Sequence, residues 1–163
     1  MSDVPRPEAT EPGTGPGAPE PAPDDVSALG RLAAAGDVTV RVDGRDLVVM
    51  VDQSGSAQRS TPEEVAALLP RVRSVLADFA AVRERATAFL WEWGAEGEET
   101  EEERAGFHRD VLPGTLTLTV TDAREARFAV HFDSRNEAYL LDGYWPAVHL
   151  DADLHPDRVT IEA

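Results

Sequence analysis

The segment Thr61–Trp93 reads TPEEVAALLPRVRSVLADFAAVRERATAFLWEW and contains the longest regular pattern in the chain. Its apolar residues recur at intervals of three or four, as they do along one face of an α-helix. The positions that follow this pattern are Val65, Leu68, Val72, Val75, Phe79, Val82, Ala86, Phe89 and Trp93. Thr61 and Glu64 have the spacing of a capping box, with Pro62 between them at the first helical position. We interpret the segment as a long amphipathic helix that packs on a β-sheet.

Pro70 lies in the middle of this predicted helix. A proline there removes the hydrogen bond to the carbonyl of Ala66 and clashes with it. The apolar pattern nevertheless continues past Pro70, which falls opposite the apolar face. A kink towards the core would keep that face buried. The alternative is two helices that meet at Leu69–Pro70.

Patterns typical of β-strands lie on both sides of the long helix. Residues 38–43 alternate between apolar and polar, residues 47–51 are apolar on both faces, and Asp43-Gly44 between them is typical of a hairpin turn. After Gly114 the apolar residues recur at every second position, which predicts four further strands. Their apolar positions are Leu116, Leu118, Val120, Phe128, Val130, Phe132, Val148, Leu150, Val159 and Ile161. The pattern leaves open which face of 145–151 is buried.

Because helices and strands are segregated along the chain, the predicted fold class is α+β. We expect a long, kinked, amphipathic helix on a mainly antiparallel sheet, which consists of an N-terminal hairpin and a C-terminal four-strand meander. A short helix is predicted within 24–36, and a second from the capping box of Thr100 and Glu103 to about Arg109. Residues 1–23 contain seven of the 12 prolines and predict a disordered acidic tail, which leaves 24–163 as a single domain.

The composition narrows the choice of partners. The net charge is −16, and all 15 basic residues are Arg. This charge repels phosphate backbones and anionic lipids, so we expect no nucleic-acid or membrane partner, and it attracts a basic protein. The absence of Cys excludes disulfides and thiolate metal sites. No apolar run approaches the ~20 residues that span a bilayer, and the N-terminus has no secretory pattern, so the predicted location is cytoplasmic.

The sharpest cluster of potential metal ligands recurs with period two near the C-terminus, at His149, Asp151, Asp153 and His155. His131 and Asp133 on a neighbouring strand could join them. Residues on one face of a strand are ~6.6 Å apart, however, which is too far for all four to bind one ion. We weigh a metal or small-molecule site at His131, Asp133, His149 and Asp151 against ordinary polar alternation on a solvated sheet face. No cofactor is predicted.

A candidate partner-binding surface follows the long helix. Trp91 falls on the outward face of that helix, and an exposed Trp is a plausible interface anchor. The alternative is that the loop after Gly94, or the helix that contains Phe107, covers it. The acidic residues predicted to bind a basic partner together with Trp91 are Glu96, Glu98, Glu99, Glu101 and Glu102. A further aromatic group, which either lines a pocket or ends the core, comprises Tyr139, Tyr144 and Trp145.

In order and patterning, residues 61–162 resemble small bacterial α+β domains of unknown function, some of which are associated with polymorphic-toxin loci as immunity proteins. The segments that carry the resemblance are 88–93, 100–107, 116–120, 128–132 and 144–150. Many members have a Gly-His pair at the start of the penultimate strand, where this chain has Pro146-Ala147, so no functional residue is transferred. The resemblance implies an immunity-like protein.

No nucleophile elbow and no Gly-rich phosphate loop is present, so no catalytic residue is assigned. The sequence therefore predicts a non-enzymatic, cytoplasmic protein-interaction domain that binds a basic partner through an acidic surface. The alternative is a small-molecule or metal-binding domain that uses His and Asp residues on the sheet.

Overall fold

The computed structural model describes residues 23–52, 59–121, 123–135, 138–140 and 144–162. Apart from residue 23, the predicted tail lies outside the described residues. The helical elements are a 3-10 helix at Ser27–Arg31, α1 Leu32–Ala35, α2 Pro62–Ala77, α3 Phe79–Gly94 and α4 Glu101–Asp110. The strands are β1 Asp37–Val42, β2 Arg45–Asp52, β3 Val111–Val120, β4 Ala126–Ser134, β5 Trp145–Leu150 and β6 Pro156–Glu162.

All six strands form one sheet, and their spatial order β1 to β6 is the order in the chain. Neighbouring strands are antiparallel except β2 and β3, which are parallel and are connected through α2, α3 and α4. The predicted α+β class, hairpin and meander are confirmed. The turn residues Asp43 and Gly44 have φ values of 49° and 69°, as a type I′ hairpin turn requires.

The hydrophobic core lies between the helices and one face of the sheet. Leu116, Val130 and Val148 are register neighbours on three adjacent strands, and all three are fully buried. The helices contribute Val65, Val72, Val75, Phe79, Val82 and Leu90 to the same cluster. Within β5, Val148 and Leu150 belong to this core, which answers the question that the sequence pattern left open.

The predicted helix at 61–93 consists of two helices, α2 and α3, which meet at Asp78. Asp78 has the non-helical angles φ −112° and ψ 22°. Pro70 lies inside α2 and does not divide it. Because Pro70 and Ala66 are both exposed, water can hydrate the carbonyl that has lost its N–H partner. The alternative with two helices is therefore confirmed, whereas the predicted junction at Leu69–Pro70 is wrong.

The buried residues of α3 depart from the sequence pattern only towards the end of the helix. Leu90 is buried, Phe89 is half-buried and Trp93 is 56% exposed. The sequence pattern places Phe89 and Trp93 on the core side because it extends one helical spacing through the whole segment. Phe79, Val82 and Ala86 of α3 follow the pattern and are buried, and Leu90 takes the next core position in place of Phe89.

We expect Leu116→Ala to lower the free energy of unfolding by about 2–5 kcal/mol, because it leaves a cavity in the centre of the core. Urea unfolding followed by circular dichroism measures this change. Met50→Ala is the matched control, since Met50 is on the other face of the sheet and is 37% exposed. It should cost less than ~1 kcal/mol. Equal costs for the two substitutions would contradict the one-sided core.

Candidate functional site

The face of the sheet opposite the core is not covered by any described helix. We call it the open face, and its central residues are Met50, Asp52, Thr115, Thr117, Thr119, Arg127, Ala129, His131, Asp133, Trp145, Ala147, His149, Arg158, Thr160 and Glu162. They alternate along each strand with the core residues, because successive side chains of a strand point to opposite faces. The side chains of each strand that point away from the core are thus gathered on one surface.

A cavity of about 350 Å³ lies in the open face. Thr117 and Ala129 are only 7% and 6% exposed although no described helix covers them, so they form its floor. The residues around this floor are Met50, Asp52, Thr115, Thr119, His131, Asp133, Trp145, His149 and Glu162. Small residues at the centre and larger ones around them make the sheet concave here.

His131 is held on the floor of the cavity by Thr117. The Thr117 hydroxyl donates to the carbonyl of Ala129 at 3.2 Å, so it accepts from His131 Nε2 at 2.9 Å. The other ring nitrogen, Nδ1, is 3.4 Å from Glu162 Oε2 and forms an ion pair when the ring is protonated. The protonated His131 ring therefore links the floor on β3 to the carboxylate of the edge strand β6.

His149 is held as the neutral tautomer with a proton on Nε2. Arg158 can only donate, so its contact at 3.2 Å makes Nδ1 of His149 an acceptor. Nε2 then donates to the Thr160 hydroxyl at 2.8 Å. Partial burial and, secondly, the positive charge of Arg158 lower the pKa of His149 from its ordinary value of 6.5. Both ring nitrogens are used within the protein.

The predicted metal ligands are only partly brought together. His131, Asp133 and His149 line the cavity, but Asp151 lies beyond the end of β5. There Asp151 Oδ1 accepts backbone N–H groups from Asp153 and His155, both at 2.9 Å, and the His155 bond is the main cause of its lowered pKa. Within the described ranges, no three His, Asp or Glu residues lie close enough to hold an ion.

The side chains of Thr117, His131 and Glu162 are connected in the same order as the hydroxyl, imidazole and carboxylate of a catalytic triad. The Thr117 hydroxyl is buried, however, and its proton is donated to the carbonyl of Ala129. The peptide groups around it are engaged in the pairing of β3 with β4. Thr117 is therefore not placed as a nucleophile, and the arrangement positions His131 instead.

The predicted partner-binding residue Trp91 is half-buried beneath α4. Its ring packs against Phe107 with 5.2 Å between the ring centroids, and Phe107 packs edge-on against Tyr139 at 5.6 Å. The structure thus shows the alternative in which the helix that contains Phe107 covers Trp91. A smaller cavity of about 170 Å³ adjoins these three rings and Glu99.

The five predicted acidic residues are all exposed, but some have local structural roles. Glu99 accepts the backbone N–H groups of Glu96 and Gly97, and these bonds lower the pKa of Glu99. Glu101 and Glu102 occupy the first turn of α4, where the helix dipole stabilises negative charge. Glu96 and Glu98 lie in the loop before it. The acidic segment therefore serves to shape the α3–α4 connection as well as to carry charge.

Sequence reasoning missed Met50 and Glu162, which line the open-face cavity. For Glu162 the available signal was its position on the polar side of the β6 pattern, whereas the segment around Met50 is apolar on both faces and gives no such signal. Such a signal predicts which side chains share a face of the sheet. It does not predict the cavity in that face, because the cavity depends on the register between strands that are far apart in the chain.

Among the described segments, no helix is long and apolar enough to cross a membrane. Comparison of the chain with models of protein families, with curated proteins and with solved structures finds no match.

We expect His149 to titrate below pH 6.5 and to carry its neutral-state proton on Nε2, which long-range ¹H–¹⁵N NMR of the ring measures. Arg158→Gln should raise the pKa of His149, because it removes a positive charge next to Nδ1. Since an unfolded His binds its proton at a higher pH than the folded one, this group lowers the free energy of unfolding as the pH falls from about 7 towards the folded pKa. A His149 ring that is protonated at pH 6.5, or neutral with its proton on Nδ1, would contradict the geometry.

Proposed function

We propose that the protein is an interaction domain that binds a basic segment of a partner protein on its open face. The net charge of −16 supports a basic partner, because it would speed the encounter. The observation that carries the proposal is the pair of Asp133 and Trp145 beside the 350 Å³ cavity.

Asp133 and Trp145 lie at the same end of neighbouring strands. His131 on β4 pairs with Ala147 on β5. Asp133 is two residues after His131 and Trp145 is two residues before Ala147, so both side chains point to the open face. Trp145 is 48% exposed, and Asp133 is exposed as well. An Arg or Lys side chain stacked on the indole of Trp145 would reach the Asp133 carboxylate, which combines a cation–π contact with an ion pair.

The position of the Asp133 carboxylate depends on Gly114. A Cβ atom built on Gly114 would collide with Asp133 Oδ2, so the carboxylate lies directly over this glycine. The pairing of β3 with β4 is irregular between Pro113 and Thr115. The absence of a side chain at Gly114 therefore provides the space that holds Asp133 beside the cavity.

The same proposal is less well supported at Trp91 and the acidic loop. Trp91 packs on Phe107, and Glu99 is engaged by backbone N–H groups. On the open face, by contrast, an aromatic ring and a carboxylate are both exposed next to a concave surface. We assign the direct contact to the open face and long-range attraction of the partner to the loop at 96–103.

Neutralisation of a basic toxin is one concrete form of this function. It fits an acidic protein with an exposed binding face, and it is the form implied by the resemblance of residues 61–162 to immunity-associated domains. The proposal of a basic partner stands on the open face itself and does not depend on that resemblance.

A small cationic molecule is the second candidate ligand. The cavity volume of about 350 Å³ is at the lower end of the range of pockets that bind small molecules. Threonine hydroxyls and His131 on its floor provide polar groups that could orient such a ligand. The same Asp133 and Trp145 would contact its positive charge.

The test is titration of the ¹⁵N-labelled protein with a hexa-arginine peptide, followed by NMR. We expect shifts for Thr115, His131 and the Trp145 indole. Asp133→Asn should weaken binding about tenfold because a charge-assisted contact is lost. Trp145→Ala should weaken it several-fold, as for an exposed cation–π contact. Gly114→Ala should also weaken it, since it displaces the Asp133 carboxylate without changing the net charge.

Glu98→Gln is the matched control, because it removes one negative charge away from the open face. It should change the affinity less than twofold at moderate salt. Equal weakening by Glu98→Gln and Asp133→Asn, or shifts confined to 96–103, would contradict the proposal. Arginine amide that binds as tightly as the peptide would favour the small-molecule ligand instead.

A further inference from the structure

The strand β6 is at one edge of the sheet and pairs only with β5 among the described strands. The opposite edge, β1, is partly covered, because Asp25 and Arg41 exchange two backbone hydrogen bonds of 2.8 Å. An edge strand presents unpaired N–H and C=O groups along its outer side and can pair with a further strand. At seven residues, β6 is long enough for such pairing.

Apolar side chains are exposed at this edge on both faces of the sheet. Ile161 is 47% exposed on the helix side. Trp145, which pairs with Glu162 across β5 and β6, is 48% exposed on the open face. Exposed apolar groups beside an unpaired strand are features of an interaction surface.

We infer that two copies of the chain associate through β6, which pairs antiparallel with itself about Thr160 and joins the two sheets into one. The occupant of this edge is thus a second copy of the protein. The sequence of β6 is the reason for this choice.

The segment Arg158-Val159-Thr160-Ile161-Glu162 is self-complementary when it is reversed. In the proposed register, Arg158 is opposite Glu162 of the second copy, and Val159 is opposite Ile161. The two copies are related by a twofold axis at Thr160, so each of these pairs occurs twice in the dimer. Opposite charges and apolar side chains directly across an antiparallel pair stabilise it.

Other registers do not give this match. Two-residue shifts preserve the pairing of side chains that point to the same face, whereas a one-residue shift would place side chains of opposite faces across from each other, which an antiparallel pair does not allow. A two-residue shift in one direction places Arg158 opposite Thr160, and a shift in the other direction places Glu162 opposite Thr160. Only the register about Thr160 pairs both charges. It also leaves Pro156, which has no N–H group, outside the paired residues.

The two charged residues of β6 already make contacts within their own chain. Arg158 donates to His149, and Glu162 lies near His131. A guanidinium has five N–H donors and a carboxylate has several acceptor sites, so both retain the capacity to pair across the axis. Charges on an edge strand usually discourage pairing with other strands. In β6, the charges of Arg158 and Glu162 would discourage pairing with any strand other than β6 of a second copy in this register.

Analytical ultracentrifugation of the full chain over a wide concentration range tests this inference. The wild-type chain should form a reversible dimer. Arg158→Glu and Glu162→Arg should each raise the dissociation constant about tenfold or more, because each places like charges opposite one another twice. The double variant Arg158→Glu/Glu162→Arg should dimerise again.

Mixing the two single variants provides the sharpest control. In the mixed dimer both charge pairs are attractive, so an equimolar mixture should form heterodimers although each variant alone is monomeric. Ile161→Thr, which removes the apolar pair without changing charge, should also weaken the dimer, and circular dichroism verifies that each variant is folded.

A wild-type chain that stays monomeric at all concentrations would overturn the inference. So would a dimer that both single charge variants leave unchanged, or monomeric single variants that do not associate on mixing. Because no basic peptide takes part in this experiment, its failure would not affect the proposed function, and the peptide titration does not depend on dimerisation.

Discussion

The parallel pairing of β2 with β3 is the constraint on which the arrangement of the layers depends. Antiparallel neighbours can be joined by short turns, but parallel neighbours need a long crossover, and here the crossover contains α2, α3 and α4. Together with the helical turn before β1, these helices pack on one face of the sheet and form a single core with it. The chain has no second group of described helices for the other face. The open face is therefore a consequence of the connectivity.

An uncovered sheet must satisfy its own polar groups. On this one, Thr117 accepts from His131, and His149 is held between Arg158 and Thr160. These bonds keep both imidazoles low on the sheet and leave a concavity above Ala129. Three of the four ring nitrogens thereby make hydrogen bonds within the protein. The exposed groups beside the cavity include the Trp145 indole and the Asp133 carboxylate, and that chemistry suits a cation.

Local signals in the sequence predicted most of the elements. Both capping boxes are formed, and the Asp43-Gly44 turn has the expected conformation. Five strands occur where alternation indicated them, and β2 occurs where the chain is apolar on both faces. Each of these features depends on residues close together in the chain. The break at Asp78 was not predicted, because no glycine or proline marks it and the apolar spacing passes through it. His131, Asp133 and His149 were found as candidates, but the roles of Met50 and Glu162 depend on strand register, which one sequence does not reveal.

The charge of the protein is used in two different ways. Glu64, Glu99 and Glu103 accept backbone N–H groups at helix starts and in a loop, so part of the acidic excess stabilises local structure. Net charge of this kind attracts any basic molecule and confers little selectivity. Selectivity requires a carboxylate with a fixed position and an apolar group beside it, as at Asp133 over Gly114 next to Trp145. The same reasoning applies to the edge strand β6. An open edge could accept many strands, but two opposite charges at a fixed spacing favour one partner in one register.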